Sequence, residues 1–323
     1  MGTIVLAEGN PRALFAPVGK EPADDADLVR LVDPSTPLVS PFDYAVTRGD
    51  GIFEATTVWK GFPVSLENHL RRLAHSAAMM DMPAPNIAAF RRAIDVMLAA
   101  YDGAEPGPLL RILVSRGMDQ GTGVGRAAAD AGGPSGPGVW MFLDPAGAQG
   151  SVEPITMTTL TRGYDADVTS RAPWLLNGAK TLSYAINMSA HRECDRRGVD
   201  DALFVTNDGY AMECPNSTIV ARFDDELATP DPSIGILHGT TQREMFAYAL
   251  QEGGRVSYRR RMPVEELREA DRLYMVHGGW VIPVRELDGK AYRTDPGEIE
   301  AINDAIHTGR THDDALTIGP VAV

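Results

Sequence analysis

The order in which strand-like and helix-like stretches follow one another is what most limits the fold of this 323-residue chain. Over 37–62 the text alternates as strands broken by turns. VTRGDGIFEATTVWKGFPV reads strand, turn, strand, turn, strand, with Lys60-Gly61 at a hairpin. A helix follows, because SLENHLRRLAHSAAMMDM puts Leu66, Leu70, Leu73, Ala77 and Met80 on one face, with Ser65 placed to cap it and Pro83 to stop it. A second helix covers about 87–101. PLLRILVSRG is a buried strand, a Gly- and Ala-rich loop runs over 117–138, and VWMFLD is another strand. Beyond PAGAQGS at 145–151 come strand EPITMTTL, a loop with Pro173, a helix over 180–197, and strands ALFVT and YAMECP about an Asn207-Asp208-Gly209 turn. A helix from Thr241 and two strands around Gly278-Gly279 complete the pattern, while residues 1–35 give no clear element and the last thirty read as a helix and a loose tail. Without regular βαβ alternation, the pattern predicts α+β (α/β) domains rather than a doubly wound sheet. The length suits two: an N-terminal α/β domain over 1–144, a linker at 145–151 and a C-terminal α/β domain over 152–323.

A formal net charge of −14 repels phosphate backbones, so nucleic acid is not an expected partner, and any anionic substrate depends on a local basic site. No apolar run approaches the roughly 18–20 residues that cross a bilayer, and the first residues lack a basic start before an apolar core. The expectation is a cytoplasmic chain with no membrane partner. Cys194 and Cys214 are too few for a disulfide framework, and Cys214 is expected to pack as a small hydrophobe. The seven histidines show no ligand spacing, so no metal is expected. Of 30 basic residues only Lys20, Lys60, Lys180 and Lys290 are lysine, which narrows the search if the chemistry needs an amine.

Lys180 stands at or beside the start of the helix that Arg196, Arg197 and Gly198 are suited to end. A helix N-terminus disfavours positive charge and can lower an amine's pKa, as an imine-forming lysine requires; the plain alternative is a solvated lysine. Glu213 lies in an otherwise apolar or small strand, either facing solvent or buried with a partner such as a protonated pyridine nitrogen. In GILHGTTQRE (235–244), Thr241 and Glu244 have capping-box spacing, and the first-turn amides can hold a phosphate or simply belong to a capped helix. Arg72 suits bidentate phosphate recognition or is an ordinary surface arginine. Arg111 lies mid-strand, with Arg116 at the strand end and Arg126 in the loop; Arg111 either binds a substrate carboxylate or pairs with an internal acid such as Glu54. GTGVG at 121–125 lacks dinucleotide-loop spacing, and Gly178-Ala179-Lys180-Thr181 lacks the glycines of a P-loop.

Taken in order, RGDGIFE (48–54), His69-x-x-Arg72-Leu73 followed by Ser76-Ala77, the strand ending Ser115-Arg116-Gly117, Lys180 with Tyr184, Asp208-Gly209-x-x-x-Glu213 and Leu237-x-Gly239-x-Thr241 resemble a known set of motifs. They are those of the fold type IV, or class IV, pyridoxal 5′-phosphate (PLP) aminotransferases, and they span roughly residues 40–290. The resemblance implies a two-domain fold of the D-amino acid aminotransferase type, with the cofactor between the domains and the C-terminal domain binding PLP, and a homodimer. It implies that Lys180 forms the imine and moves protons, that Glu213 binds the pyridine nitrogen, and that Arg72, the Thr240 and Thr241 amides and the Thr241 hydroxyl hold the phosphate. Asn216, Ser217 and Thr218 would lie beside the cofactor, Thr218 standing where the family usually has asparagine, and Tyr184 would reach the phenolic oxygen.

Within the family, APWLLNGAKTLSYAINM, ECPNSTIV and ILHGTTQ are most similar to 4-amino-4-deoxychorismate lyases of the actinobacterial type, which release pyruvate and 4-aminobenzoate for folate synthesis. That likeness implies that Arg111 and Arg126 grip the carboxylates of a small amino substrate. His277-Gly278-Gly279-Trp280 departs from the Ser/Thr turn usual there, so that Gly278 and Gly279 would border the substrate. Transamination of branched-chain amino acids, D-amino acids or amines therefore stays open beside elimination. A non-catalytic binding protein of the same fold is a third reading, and the joint presence of Lys180, Arg72 and Glu213 argues against it.

Overall fold

The computed structural model describes residues 3–103, 107–119, 136–146 and 152–319. By its internal contacts the chain divides into two units, Met1–Gln149 with Ala179–Tyr184, and Gly150–Gly178 with Ala185–Val323.

In the first unit, β1 (Val5–Gly9), β2 (Val29–Val32), β3 (Gly51–Trp59), β4 (Phe62–Pro63), β5 (Leu109–Ser115) and β6 (Gly138–Asp144) form one sheet of order β2-β1-β6-β5-β3-β4. Its helices are α1 (Pro11–Leu14), α2 (Tyr44–Arg48), α3 (Leu66–Met79) and α4 (Ile87–Ala99). All the pairings are antiparallel. Period-2 alternation buries Ile52, Glu54, Thr56 and Val58 of β3, Leu110, Ile112 and Val114 of β5, and Val139, Met141 and Leu143 of β6 on one face. There α3 packs on β3, and α4 on β1, β2 and β6, through Leu70, Leu73, Ala77, Phe90, Ile94 and Met97. The Lys60-Gly61 hairpin is formed, with φ of 49° and 80° between the paired Trp59 and Phe62, as a two-residue turn of the right twist needs. Ser65 does not cap α3 with its side chain; its own φ is +55°, and its hydroxyl instead accepts from Asn68 Nδ2.

The second unit holds β7 (Ile155–Thr161), β8 (Asp201–Val205), β9 (Thr218–Phe223), β10 (Glu226–Pro230), β11 (Arg255–Arg259), β12 (Arg272–His277), β13 (Trp280–Leu287) and β14 (Lys290–Ala291). Their order is β11-β10-β9-β12-β13-β7-β8, with β14 on β13, and the sheet is mixed: β10–β11, β13–β7 and β7–β8 are parallel. Helices α5 (Val168–Arg171), α6 (Ala185–Arg197), α7 (Thr240–Gln251), α8 (Val264–Arg268), α9 (Pro296–His307) and α10 (His312–Ala315) complete it. Cys214 packs in the core with Leu203, Ile219, Leu273 and Val284, as a small hydrophobe would. The YAMECP segment forms only isolated bridges, Val205 to Ala211 and Tyr210 to Pro263, instead of a strand. Among the described residues no helix is long and apolar enough to cross a membrane.

The segment around Lys180 departs most from expectation. It belongs to the first unit, not to a continuous C-terminal domain, and no helix starts there, since α6 begins at Ala185. The physical reason lies in β3. At its C-terminal half the edge of β3 is covered by β4; at its N-terminal half it is covered by residues 180–182. Phe53 N donates to Lys180 O (3.0 Å), Leu182 N donates to Gly51 O (2.8 Å), and Ile52 and Thr181 form an antiparallel bridge. Backbone groups used in that ladder are not available for a helical turn. Gly51 makes the approach possible, because a Cβ there would lie 2.4 Å from Val114 O and 2.7 Å from Leu182 Cδ1. Gly51→Val is therefore expected to destabilise the chain by about 2–3 kcal/mol through overpacking, read as a lower urea midpoint at unchanged slope; an unshifted midpoint would show that the edge tolerates a side chain.

Candidate active site

The first unit carries a buried ionic cluster beneath the lysine. Glu54 is 1% exposed on the helix-covered face of β3. Its Oε1 accepts from Arg72 Nε (2.7 Å), and its Oε2 accepts from Arg72 Nη2 (2.8 Å) and lies 2.7 Å from His69 Nδ1. His69, Arg72 and Ser76 recur at i, i+3 and i+7 along α3, so one helix face presents all three. Burial works against charge on Glu54, but the Arg72 guanidinium and then His69 outweigh it and hold the carboxyl well below its usual range. Burial lowers His69 below its ordinary value; Glu54 opposes this, and Arg72 and Lys180 add to it.

Ser76 Oγ, on the same face of α3, accepts from Lys180 N at 3.0 Å. Lys180 lies opposite Phe53 in the edge ladder, so its side chain follows Phe53 to the face of the sheet away from Glu54. Nζ lies 4.4 Å from the Phe53 ring centroid and 5.7 Å from that of Tyr184, and the two rings meet edge to face at 5.1 Å. At 9% exposure Lys180 is not a solvated lysine. Arg111 lies on the same face of the sheet as Phe53, between Ala55 and Phe142, exposed, with its guanidinium 5.6 Å from the Phe142 ring centroid. Glu54 points to the opposite face, so the Arg111–Glu54 pair is not formed. Arg116 is engaged with Asp50 Oδ2 (2.7 Å) and Met80 O (2.6 Å). Arg126 and the GTGVG stretch lie outside the described residues.

The second unit builds a different constellation. Beyond the Asn207-Asp208-Gly209 turn, Met212 N donates to Phe204 O and Phe204 N to Glu213 O, both at 2.9 Å, which anchors Glu213 on β8. Glu213 Oε2 accepts from Leu237 N (3.0 Å), tying the acid to the segment that enters α7. Asn187 of α6 donates to Pro215 O, and Asn216, exposed, lies 2.7 Å from His191 Nε2. Ser217 is buried, and its Oγ makes no hydrogen bond among the described residues. Gly239 caps α7, where a Cβ would stand 2.4 Å from Thr218 Oγ1, so only glycine fits without displacing Thr218. No side chain caps this helix and no acid lies in its first turn. The Thr241/Glu244 capping box is thus absent: Thr241 is the second helical residue rather than the cap, and Glu244 turns away to accept from Thr311 Oγ1 (2.5 Å). Thr241 Oγ1 accepts from Gly279 N (2.9 Å), which leaves the hydroxyl's own proton to donate elsewhere. Gly278 and Gly279 have φ of 55° and 88°, a two-residue hairpin turn between His277 and Trp280. Trp280 packs against the sheet core and edge-on to His307, with ring centroids 4.4 Å apart.

The lysine pinned to a sheet edge in one unit and the carboxylate beside the start of α7 in the other lie within the motifs that resemble the fold type IV class of PLP-dependent enzymes. The fold agrees: it matches a fold IV-transaminase from Curtobacterium pusillum with a TM-score of 0.82 and 35% identity, over 94% of this chain and 99% of that one. The PLP-bound form of a hypothetical aminotransferase from Mycobacterium tuberculosis matches with a TM-score of 0.76 and 34% identity, over 88% of this chain and 97% of that one. The amino-transferase class IV family model covers residues 51–287, and the chain belongs to that family. The bifunctional aminodeoxychorismate lyase / D-amino acid transaminase of M. tuberculosis is 35% identical over 277 residues, 82% of this chain and 89% of the relative. The chain is thus a PLP-dependent enzyme of a family that acts on small amino and keto acids.

The residues present fit that cofactor. The start of α7, where the cap is a glycine with no side chain, and the Thr241 hydroxyl suit an anionic phosphate, the buried Ser217 Oγ has no hydrogen-bond partner among the described residues, and Lys180 offers a shielded amine. The Glu54–His69–Arg72 cluster escaped the sequence reading. Its signals were an acid in phase with Ile52, Thr56 and Val58, and a His and Arg three apart on the apolar face of α3.

His69 supplies a pH test. Because its folded pKa lies below the ordinary value of about 6.5, the unfolded chain takes up the proton first as pH falls, so this contribution to stability is full above about 6.5 and shrinks below it. The urea midpoint should fall between about pH 6.5 and 5, and His69→Gln should flatten that slope; an equally steep slope in the variant would assign the pH response elsewhere.

Proposed function

We propose that the chain eliminates pyruvate from 4-amino-4-deoxychorismate and releases 4-aminobenzoate, with Lys180 as the base. The choice of substrate rests on the bare Gly278–Gly279 turn. Two glycines in left-handed conformation place only backbone there, and Trp280, the bulky residue of this departure, packs back onto His307 and the core. Such a turn leaves room for a ring carrying two carboxylates, larger than the side chain of an ordinary amino acid.

PLP supplies an electron sink for the charge left when the substrate loses the proton on its amine-bearing carbon. Lys180 Nζ takes that proton. Phe53 and Tyr184 shield the amine from water, and the ladder to β3 with the Ser76 hydrogen bond holds the lysine backbone in place. Glu213, oriented by Leu237 N, pairs with the ring nitrogen, and Tyr184 hydrogen-bonds the phenolic oxygen. The Thr240 and Thr241 amides, the Thr241 and Ser217 hydroxyls and Arg72 hold the phosphate, with Thr218 and Asn216 lining the same stretch. Arg111 and Arg126 meet substrate carboxylates, Arg111 from the exposed face of the first sheet.

Transamination of D-amino acids is the second reading, favoured by the double activity named for the 35%-identical relative. Both reactions begin with the same proton removal by Lys180. We also infer a homodimer, because Trp174, Leu175, Ile186 and Met188 are exposed in the second unit, 75% in the case of Trp174. Light scattering should give a mass of twice 34.8 kDa, and a monomer would refute it.

Purified protein given aminodeoxychorismate and no keto acid should produce pyruvate and 4-aminobenzoate in equal amounts. No product there, with amino transfer from D-alanine to 2-oxoglutarate, would establish the second reading. Lys180→Ala should abolish both activities while still taking up PLP, with loss of at least about 10³-fold in turnover as expected for removing both nucleophile and base. Substantial turnover without added amine would refute the assigned role.

A further inference from the structure

We propose that the C-terminal stretch Asn303–Gly319 is a strap that positions the cofactor's phosphate cup, with Glu244 as its anchor; this rests on the reading that the phosphate sits at the start of α7. The cup has two walls, the first turn of α7 and the Gly278–Gly279 hairpin turn, joined by the Gly279 N to Thr241 Oγ1 hydrogen bond. The strap holds both. Asn303 of α9 accepts from Val281 N (2.8 Å) and donates to Val281 O (3.1 Å), clamping β13 one residue beyond Trp280, and the His307 ring lies edge-on to Trp280. Four residues on, Thr311 Oγ1 donates to the fully buried Glu244, and His312 Nδ1 lies 3.0 Å from the other carboxylate oxygen. Leu316 O accepts from Arg243 Nη2, and Gly319 lies so close to His238 that a Cβ would meet its ring at 2.3 Å. Attachments at 238, 243 and 244 bracket Gly239–Thr241, the residues whose amides face the anion.

The choice of residue at 244 supports this. A carboxylate one turn into a helix repels an anion held at that helix's N-terminus unless its charge is taken up elsewhere. Glu244 accepts from Thr311, with His312 Nδ1 3.0 Å from its other oxygen, and it gives the strap an acceptor that no apolar residue could supply. Glu244 thus acts through α7 as a positioning residue and touches neither cofactor nor substrate.

The test compares apoenzyme affinity for PLP with that for pyridoxal, which lacks the phosphate. Thr311→Ala should weaken PLP about tenfold, a change of about 1.4 kcal/mol, and leave pyridoxal within about twofold. Glu244→Gln, which keeps an oxygen for Thr311, should stay close to the parent for both. Equal weakening of PLP and pyridoxal in Thr311→Ala, or no change in either, would overturn the strap. Thr241→Val separates the underlying reading. If it too fails to weaken PLP selectively, the phosphate does not sit at α7; if it weakens PLP selectively and Thr311→Ala does not, the strap alone is refuted.

Discussion

The pairing of residues 180–182 with the edge of β3 is the interaction on which the rest depends. In the proposed mechanism Lys180 is the reacting amine, and such an amine has to be held within about half an ångström of its working position, which side-chain packing on a flexible loop does not provide. Here the lysine's carbonyl accepts from Phe53 and its amide donates to Ser76, so its backbone is fixed from β3 on one side and α3 on the other. Strand alternation then decides the direction of the side chain. Being opposite Phe53 sends Nζ to the face away from the buried acid, and a slip of one residue would send it into the helix-covered core.

Glu54 enforces that register. A carboxylate 1% exposed is strongly unfavourable unless paired, and the gain from pairing often only balances the desolvation, so the cluster is weak evidence for added stability. Its effect is on specificity. Sliding β3 by one residue would remove Glu54 from Arg72 and His69 and leave charges buried without partners, which costs several kcal/mol. The same α3 face that supplies His69 and Arg72 supplies Ser76, so the strand's register, the helix's rotation and the lysine's position are set together.

Local periodicity made much of this legible. The stripe Leu66, Leu70, Leu73 and Ala77 gave α3, alternation over 37–62 gave β3, the apolar runs PLLRILVSRG and VWMFLD gave β5 and β6, and the Lys60-Gly61 and Gly278-Gly279 pairs gave two hairpin turns. The ordered motifs carried the family. What failed depended on partners far away in sequence. Val5–Gly9 and Val29–Val32 become strands because β1 pairs with both β2 and β6, and nothing in the first 35 residues shows that. The helix expected from Lys180 begins five residues later because the intervening backbone bonds to β3. Arg111 and Glu54 were natural partners by charge, yet Glu54 is opposite Ile112 in the ladder, which puts the two on opposite faces. The tail read as loose because its polar residues Asn303 and Thr311 are partners for groups in β13 and α7.

On the proposed placement of the phosphate at α7, electrostatics account for how little of its recognition would rest on cations. The chain carries a net charge of −14, and Arg72, the arginine proposed for the phosphate, commits Nε and Nη2 to Glu54. A guanidinium paired in this way offers far less net charge to a second anion. The remaining groups in that proposal are neutral: the backbone amides at the start of α7 and the hydroxyls of Thr241 and Ser217. Such groups hold an anion through oriented dipoles, which work only if they are already aimed when it arrives. Recognition by dipoles therefore demands rigidity, and in this chain the rigidity comes from backbone hydrogen bonds to α7, from a glycine that lets Thr218 close in, and from buried polar side chains contributed by the C-terminal residues.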